Sequence, residues 1–255
     1  MAGAAAMQVQ LGARAREIFD RTGNLAMQPP RRSWFGRVPN SSSTTARRVA
    51  LTFDDGPSSP SSALMLDTLA SLDVRATFFC VGQMVAWYPE IARRAASEGH
   101  VIANHSMYHS RRRSLSPWGI DHIESAQDEI ERVIGRRPAL YRPPWGWTTP
   151  WELRRAGRLG LTVVGWSVYP DDWKDPEVPA ATTARQIVEG TEPGSIILMH
   201  DATSNVKDCA KVESAAAVEL AVRQLRADGY EFVALSELLG VEAYLPTRAS
   251  STGDL

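Results

Sequence analysis

The chain switches repeatedly between two hydrophobic periods, and the switching predicts its architecture. Over residues 48–54, Val49, Leu51 and Phe53 alternate with smaller or polar residues, as on a pleated strand, and Gly56-Pro57 cannot continue it. Leu64, Leu66, Leu69 and Leu72 then fall close to a helical stripe over residues 61–72, and residues 75–81 return to strand, ending at Gly82. The unit recurs. Helix 88–97 leads to strand 101–104, helix 120–134 to strand 139–141, and helix 149–159 to strand 161–167. Helix 182–188 leads to strand 195–199, and helix 213–228 to strand 231–235. The sharpest start is at Thr149, an N-cap followed by Pro150 at the first helical position and Glu152 placed for a capping box. Seven strands alternating with helices predict an α/β fold with a parallel sheet, closed or nearly closed into a barrel.

Composition sets the boundaries. A chain of 255 residues with 44% hydrophobic content can bury the core of one large domain. The polar run Asn40-Ser-Ser-Ser-Thr-Thr45 reads as a linker, so the expected division is an N-terminal extension over 1–46, partly disordered, a catalytic domain over 47–240, and a tail over 241–255. A formal net charge of −1 gives no global positive field for nucleic acid or an anionic membrane. Two cysteines, Cys80 and Cys209, permit at most one bridge. No run of about 18 apolar residues predicts a transmembrane helix. Gln8, Gln10, Arg14 and Arg16 interrupt any signal-peptide core, which favours a cytoplasmic location without excluding export.

Parallel α/β sheets place chemistry at the carboxyl ends of their strands. The polar residues there are Asp54 and Asp55 after strand one, His105 and His109 after strand three, and Arg142 after strand four. Asp171 and Asp172 follow strand five, and His200 and Asp201 follow strand six. Successive carboxylates at Asp54 and Asp55 repel unless a cation sits beside them. His105 and His109 have the i, i+4 spacing that puts two imidazoles on one face of a helical turn, and with a carboxylate from strand one they supply three ligands with positions left open. Pro143 and Pro144 remove two consecutive N–H groups, so the first backbone donor after Arg142 is that of Trp145, placed to stabilise an oxyanion. Each piece also has a plain reading, as a solvated turn, a pair of surface histidines or a proline-rich loop. His100 and His122 lack such company and read as surface or capping residues.

Together, Thr52-Phe-Asp-Asp-Gly-Pro57, His105-xxx-His109, Arg142-Pro-Pro-Trp-Gly146, Asp172-Trp173 and Leu198-Met-His-Asp201 resemble, in this order, the polysaccharide deacetylases of carbohydrate esterase family four. The resemblance covers about residues 47–239. It implies a deformed (β/α) barrel of about seven parallel strands and hydrolysis of acetyl groups from sugars, usually N-acetylglucosamine units of a poly- or oligosaccharide. It implies Asp54 as general base oriented by Arg142, and Asp55, His105 and His109 as ligands of a divalent metal, zinc first, with cobalt or another late first-row ion as alternatives. It further implies His200 as general acid with Asp172 beside it, Trp145 as oxyanion donor through its backbone, and Trp173 and Leu198 lining the acetyl-methyl pocket. Two positions depart from the family's pattern: Trp145 stands where Tyr or Phe is usual, and Tyr169 replaces the first Asp of Asp-x-x-Asp-Trp.

Three other readings share some of these residues. Two histidines and a carboxylate also describe non-haem iron oxygenases, which need neither the extra Asp54 nor His200. A silent glycan-binding module would be expected to lack the base or a ligand, whereas every position is filled here. An O-acetyl esterase acting on xylan or another glycan fits the motifs as they stand. Eight tryptophans, five of them from Trp145 to Trp173, supply faces for sugars, although most are expected in the core or cleft wall.

Overall fold

A computed structural model describes residues 38–110, 121–146 and 148–246. Most of the expected extension, residues 1–37, lies outside the described residues, as do residues 111–120, Trp147 and residues 247–255 of the expected tail.

The described strands are β1 (Arg48–Asp54), β2 (Thr77–Cys80), β3 (Val101–Asn104), β4 (Leu140–Tyr141), β5 (Thr162–Val163), β6 (Ile196–His200) and β7 (Glu231–Phe232). All pairings between them are parallel, in the order β5-β4-β3-β2-β1-β6, and β7 pairs with Arg48 and Val49 at the start of β1. The ring closes through the segment after β5. Ser167 N–H donates to the Ile196 carbonyl at 2.9 Å, and Leu198 N–H donates to the Val168 carbonyl at 3.0 Å. The expected barrel is therefore present and deformed at this seam. The predicted fifth strand is regular only at Thr162–Val163, because the Gly165 carbonyl is taken by Arg142 and its N–H by the Pro39 carbonyl, which ends the ladder with β4.

The described helices are α1 (Ser61–Ser71), α2 (Gly82–Trp87), α3 (Pro89–Ser97), α4 (Asp121–Ile134), α5 (Pro150–Arg158), α6 (Ala180–Gly190), α7 (Val212–Ala227) and α8 (Leu235–Leu239). The α5 start is the predicted one, with the Thr149 side chain accepting from Glu152 N–H. Gly82 opens a short helix rather than a loop, and Pro89, which has no N–H to continue it, begins α3 as a separate helix. Residues 38–46 and 241–246 also pack on the barrel: Val38 is buried beside Ile123 and Leu153, Ser42 N–H donates to the Gly194 carbonyl, and Ala139 N–H donates to the Ala243 carbonyl.

Strand periodicity divides the core in two. Val49, Leu51 and Phe53 face the helices with Phe78, Ile102, Ile197 and Met199. Ala50, Phe79, Ala103, Leu140, Ile196 and Leu198 fill the barrel. The inward parity of residues 50, 103, 140 and 198 continues to 54, 105, 142 and 200. Asp54, His105, Arg142 and His200 are thus aimed into the barrel mouth by the same alternation that builds its core.

Candidate active site

Asp54 and Asp55 are consecutive, so continued extended backbone would send their carboxylates to opposite faces. Asp55 instead has φ 80°, which turns its side chain back toward β3. There it meets two histidines. His109 Nε2 lies 3.2 Å and His105 Nε2 3.6 Å from Asp55 Oδ1. The helical turn expected at residues 105–109 is absent: the segment is a bent loop, with Ser106 at φ 67° and His109 at φ 46°, held by Asn104 Oδ1, which accepts from Ser106 N–H at 2.8 Å. Left-handed backbone at non-glycine residues costs on the order of 1–3 kcal/mol each and persists where its surroundings over-determine it.

These residues fit a divalent cation. Ligands about 2.0–2.2 Å from a tetrahedral ion stand roughly 3.2–3.6 Å apart, which matches the observed separations. Asp55 Oδ1 is buried with no hydrogen-bond partner, a costly state that a cation would relieve. His105 Nδ1 lies 2.7 Å from the Arg142 carbonyl, which fixes the ring proton on Nδ1 and leaves the Nε2 lone pair toward Asp55.

On one side of this cluster stands Asp54. Arg142 is fully buried, and its Nη1 donates to Asp54 Oδ1 at 2.7 Å and to Thr52 Oγ1 at 2.8 Å, while Nη2 donates to the Gly165 carbonyl at 2.9 Å. Burial pushes the Asp54 carboxyl up to about 6, against the lowering effect of Arg142. Its other oxygen, Oδ2, lies 3.6 Å from His105 Nε2 and so faces the ligand cluster. His200 also belongs to this mouth. Asp172 Oδ1 lies 3.1 Å from its Nδ1, and Asp172 Oδ2 accepts its backbone N–H at 2.6 Å. Burial alone would lower the imidazole pKa, but Asp172 outweighs it and pushes His200 up to about 9.

Residues 41–164 match the family model described as polysaccharide deacetylase. The crystal structure of the Bc1960 peptidoglycan N-acetylglucosamine deacetylase superposes with a TM-score of 0.75 at 31% identity, covering 81% of this chain and 94% of that one. The chain belongs to the polysaccharide deacetylase family. A family 4 acetyl xylan esterase from Clostridium thermocellum, in complex with a cobalt ion, matches at 35% identity with a TM-score of 0.67 over 77% of this chain and 94% of that one. The peptidoglycan-N-acetylglucosamine deacetylase PgdA of Listeria monocytogenes is 34% identical over 197 residues, 77% of this chain. The present chain spans only 40% of that relative's length.

The other motif residues of this polysaccharide deacetylase chain lie around the same mouth. Trp145 has φ 57°, and its indole packs on the His109 ring with centroids 4.1 Å apart. Leu198 is buried inside the barrel, whereas Trp173, next to Asp172, is 43% exposed. Tyr169 places its ring 6.4 Å from that of His200. Asp171 turns away to Gln186 and Lys174, and Asp201 is buried behind the cleft with Ser62. His100 is buried rather than a surface residue: its Nδ1 accepts from Ala76 N–H, and burial lowers its pKa to about 4.

Sequence reasoning placed Thr52 in a motif without giving it a role, and did not single out Lys211 or Ser204. Thr52 was legible as an inward-facing polar residue within β1. Lys211 Nζ donates to the Asp172 and Trp173 carbonyls, and Ser204 Oγ lies 3.0 Å from His109 Nδ1; both act across long stretches of chain and leave no local signal.

Proposed function

We propose that this domain is a metal-dependent deacetylase that hydrolyses N-acetyl groups of N-acetylglucosamine-containing glycans and releases acetate. One observation carries the reading: a carboxylate braced by a buried arginine and an imidazole braced by a buried carboxylate flank a three-ligand cluster in one barrel mouth. Asp55, His105 and His109 would hold the ion, zinc by preference for two imidazoles and a carboxylate, with cobalt or another late first-row ion able to substitute. The bound ion would supply Lewis acidity, polarising the acetyl carbonyl and making water a better nucleophile.

The chain's own groups complete the reaction. Asp54, with Oδ1 held by Arg142, takes a proton from the attacking water on Oδ2 as the water oxygen bonds to the carbonyl carbon. The Trp145 N–H donates to the carbonyl oxygen as it gains charge. His200, protonated because Asp172 favours the imidazolium, donates from Nε2 to the amide nitrogen as the carbon–nitrogen bond breaks. Acetate and a free amine result. Leu198 and Trp173 provide apolar surface for the acetyl methyl, and the names of the matched deacetylases support a peptidoglycan-type sugar.

An O-acetyl esterase is the second reading, supported by the likeness to the acetyl xylan esterase. The protonated His200 favours the amide, because an amine leaves poorly without a proton whereas an ester's alcohol is easier to expel. Acetate release from the N-acetylglucosamine tetramer and from acetylxylan, at matched acetyl concentration, separates the two. The tetramer is expected to be hydrolysed faster, and faster than the monosaccharide, since remote sugar contacts help to orient the acetyl group. Rapid turnover of acetylxylan with none on the tetramer would contradict the N-deacetylase reading.

A further inference from the structure

Both histidine ligands have a second contact on Nδ1, and the residue after Asp55 is held in place by packing; the contacts at His109 and at Gly56 come from a single loop. Residues 201–211 join β6 to α7. Ser204 Oγ lies 3.0 Å from His109 Nδ1, while His109 Nε2 faces Asp55. With Nε2 turned to a cation, the ring proton sits on Nδ1 and donates to Ser204 Oγ, which fixes the tautomer and the ring plane. Asn205 Nδ2 reinforces this by donating at 3.0 Å to the carbonyl of Tyr108, the residue before His109.

At its other end the same loop grips the turn that carries Asp55. The buried Asp201 carboxylate packs directly against Gly56 and accepts the Ser62 hydroxyl on Oδ2, and Ser62 Oγ accepts in turn from Ser58 N–H at 2.8 Å. The approach is so close that a Cβ on Gly56 would stand 2.2 Å from Asp201 Oδ2. Gly56 is held from the opposite side by Val81, whose N–H donates to the Gly56 carbonyl at 3.0 Å. The turn held in this way directly follows Asp55, whose backbone is left-handed at φ 80°. The middle of the loop is exposed at Asn205, Val206, Lys207 and Asp208, and its far end is pinned where Lys211 N–H donates to Ser61 Oγ at 3.0 Å.

We propose that the loop over residues 201–211 is an outer clamp on the metal cluster, with Ser204 and Asp201 as positioning residues that set how tightly and how long the ion is held. The inference rests on the ligand set proposed above. Outer-shell partners typically contribute about 10–100-fold to metal affinity, and a clamp built on a surface loop sets the rate at which the ion escapes.

The test is zinc binding rather than turnover. Zinc is titrated into the metal-stripped wild type and into Ser204→Ala, Ser204→Thr, Asp201→Asn and His105→Ala, in competition with a chromophoric chelator, with the melting temperature of each metal-free protein recorded. Ser204→Ala is expected to bind zinc about tenfold or more weakly and to surrender it faster, with unchanged metal-free melting, and Ser204→Thr restores the affinity. Asp201→Asn, which keeps the volume but replaces one carboxylate oxygen by an NH2 donor and removes the charge beside Gly56 and Ser62, weakens binding in the same direction. Wild-type affinity in either Ser204→Ala or Asp201→Asn overturns the clamp. A wild type that takes up no zinc, or a His105→Ala that binds it normally, contradicts the ligand set as well.

Discussion

Replacing Asp54 by Asn removes acetate release by on the order of 10²-fold or more while the protein still takes up one equivalent of metal, because a positioned general base contributes about 10²–10⁴-fold. Asn has nearly the same shape and can still accept from Arg142 Nη1, but its amide cannot take a proton from water. The substitution also leaves the Arg142 guanidinium buried without a countercharge. Breaking such a pair costs about 3–5 kcal/mol, so a lower melting temperature accompanies the loss. Activity is therefore compared on folded, metal-loaded protein, by kcat/KM on the tetramer with metal content measured on the same sample. Near-normal turnover in that sample would remove Asp54 from the role of base.

His105→Ala and His109→Ala should each abolish stoichiometric metal uptake, and acetate release with it. Two of three ligands remain in either variant, and Asp55 Oδ1, already without a hydrogen-bond partner, also loses an imidazole 3.2–3.6 Å away. The effect should exceed the roughly 10–100-fold that removal of an outer-shell partner costs. Metal analysis after gel filtration reads it directly. Full occupancy in either variant would show that the ligand set is wrong.

Much of this site was legible before the fold was known, for a physical reason. A period of two, once it has buried Ala50, Ala103, Leu140 and Leu198, necessarily aims residues 54, 105, 142 and 200 into the same space. The N-cap at Thr149 was equally readable, since Thr-Pro-x-Glu satisfies orphan helix donors locally. The loop at residues 105–109 was not, because the left-handed backbone at Ser106 and His109 is imposed by Asn104 and by packing rather than by residue preference. The i, i+4 spacing thus pointed to two histidines that the fold does bring together beside Asp55, but through a bent loop rather than a helical turn. Strand five was overestimated for a similar reason: its apolar run continues, but Arg142 and Pro39 take the Gly165 backbone groups that β4 would have used. Ser204 and Lys211 act on partners 95 and 39 residues away, and nothing in their neighbourhoods marks them.

The measurement that bears most directly on the opposed base and acid is the pH profile of kcat/KM for the metal-loaded wild type beside Asp172→Asn. Asp54 must be ionised to act, so activity falls as pH drops through its pKa; burial raises that pKa to about 6, and a bound cation lowers it. His200 must be protonated, so activity falls as pH rises through its pKa, at or below the value of about 9 that Asp172 sustains against burial. A bell-shaped profile is expected. Asp172→Asn removes the charge that favours the imidazolium, so the alkaline limb should move to lower pH while the acid limb stays in place. A profile without an alkaline limb, or an alkaline limb unmoved in Asp172→Asn, would contradict a proton-donating His200 and with it the account of amide cleavage.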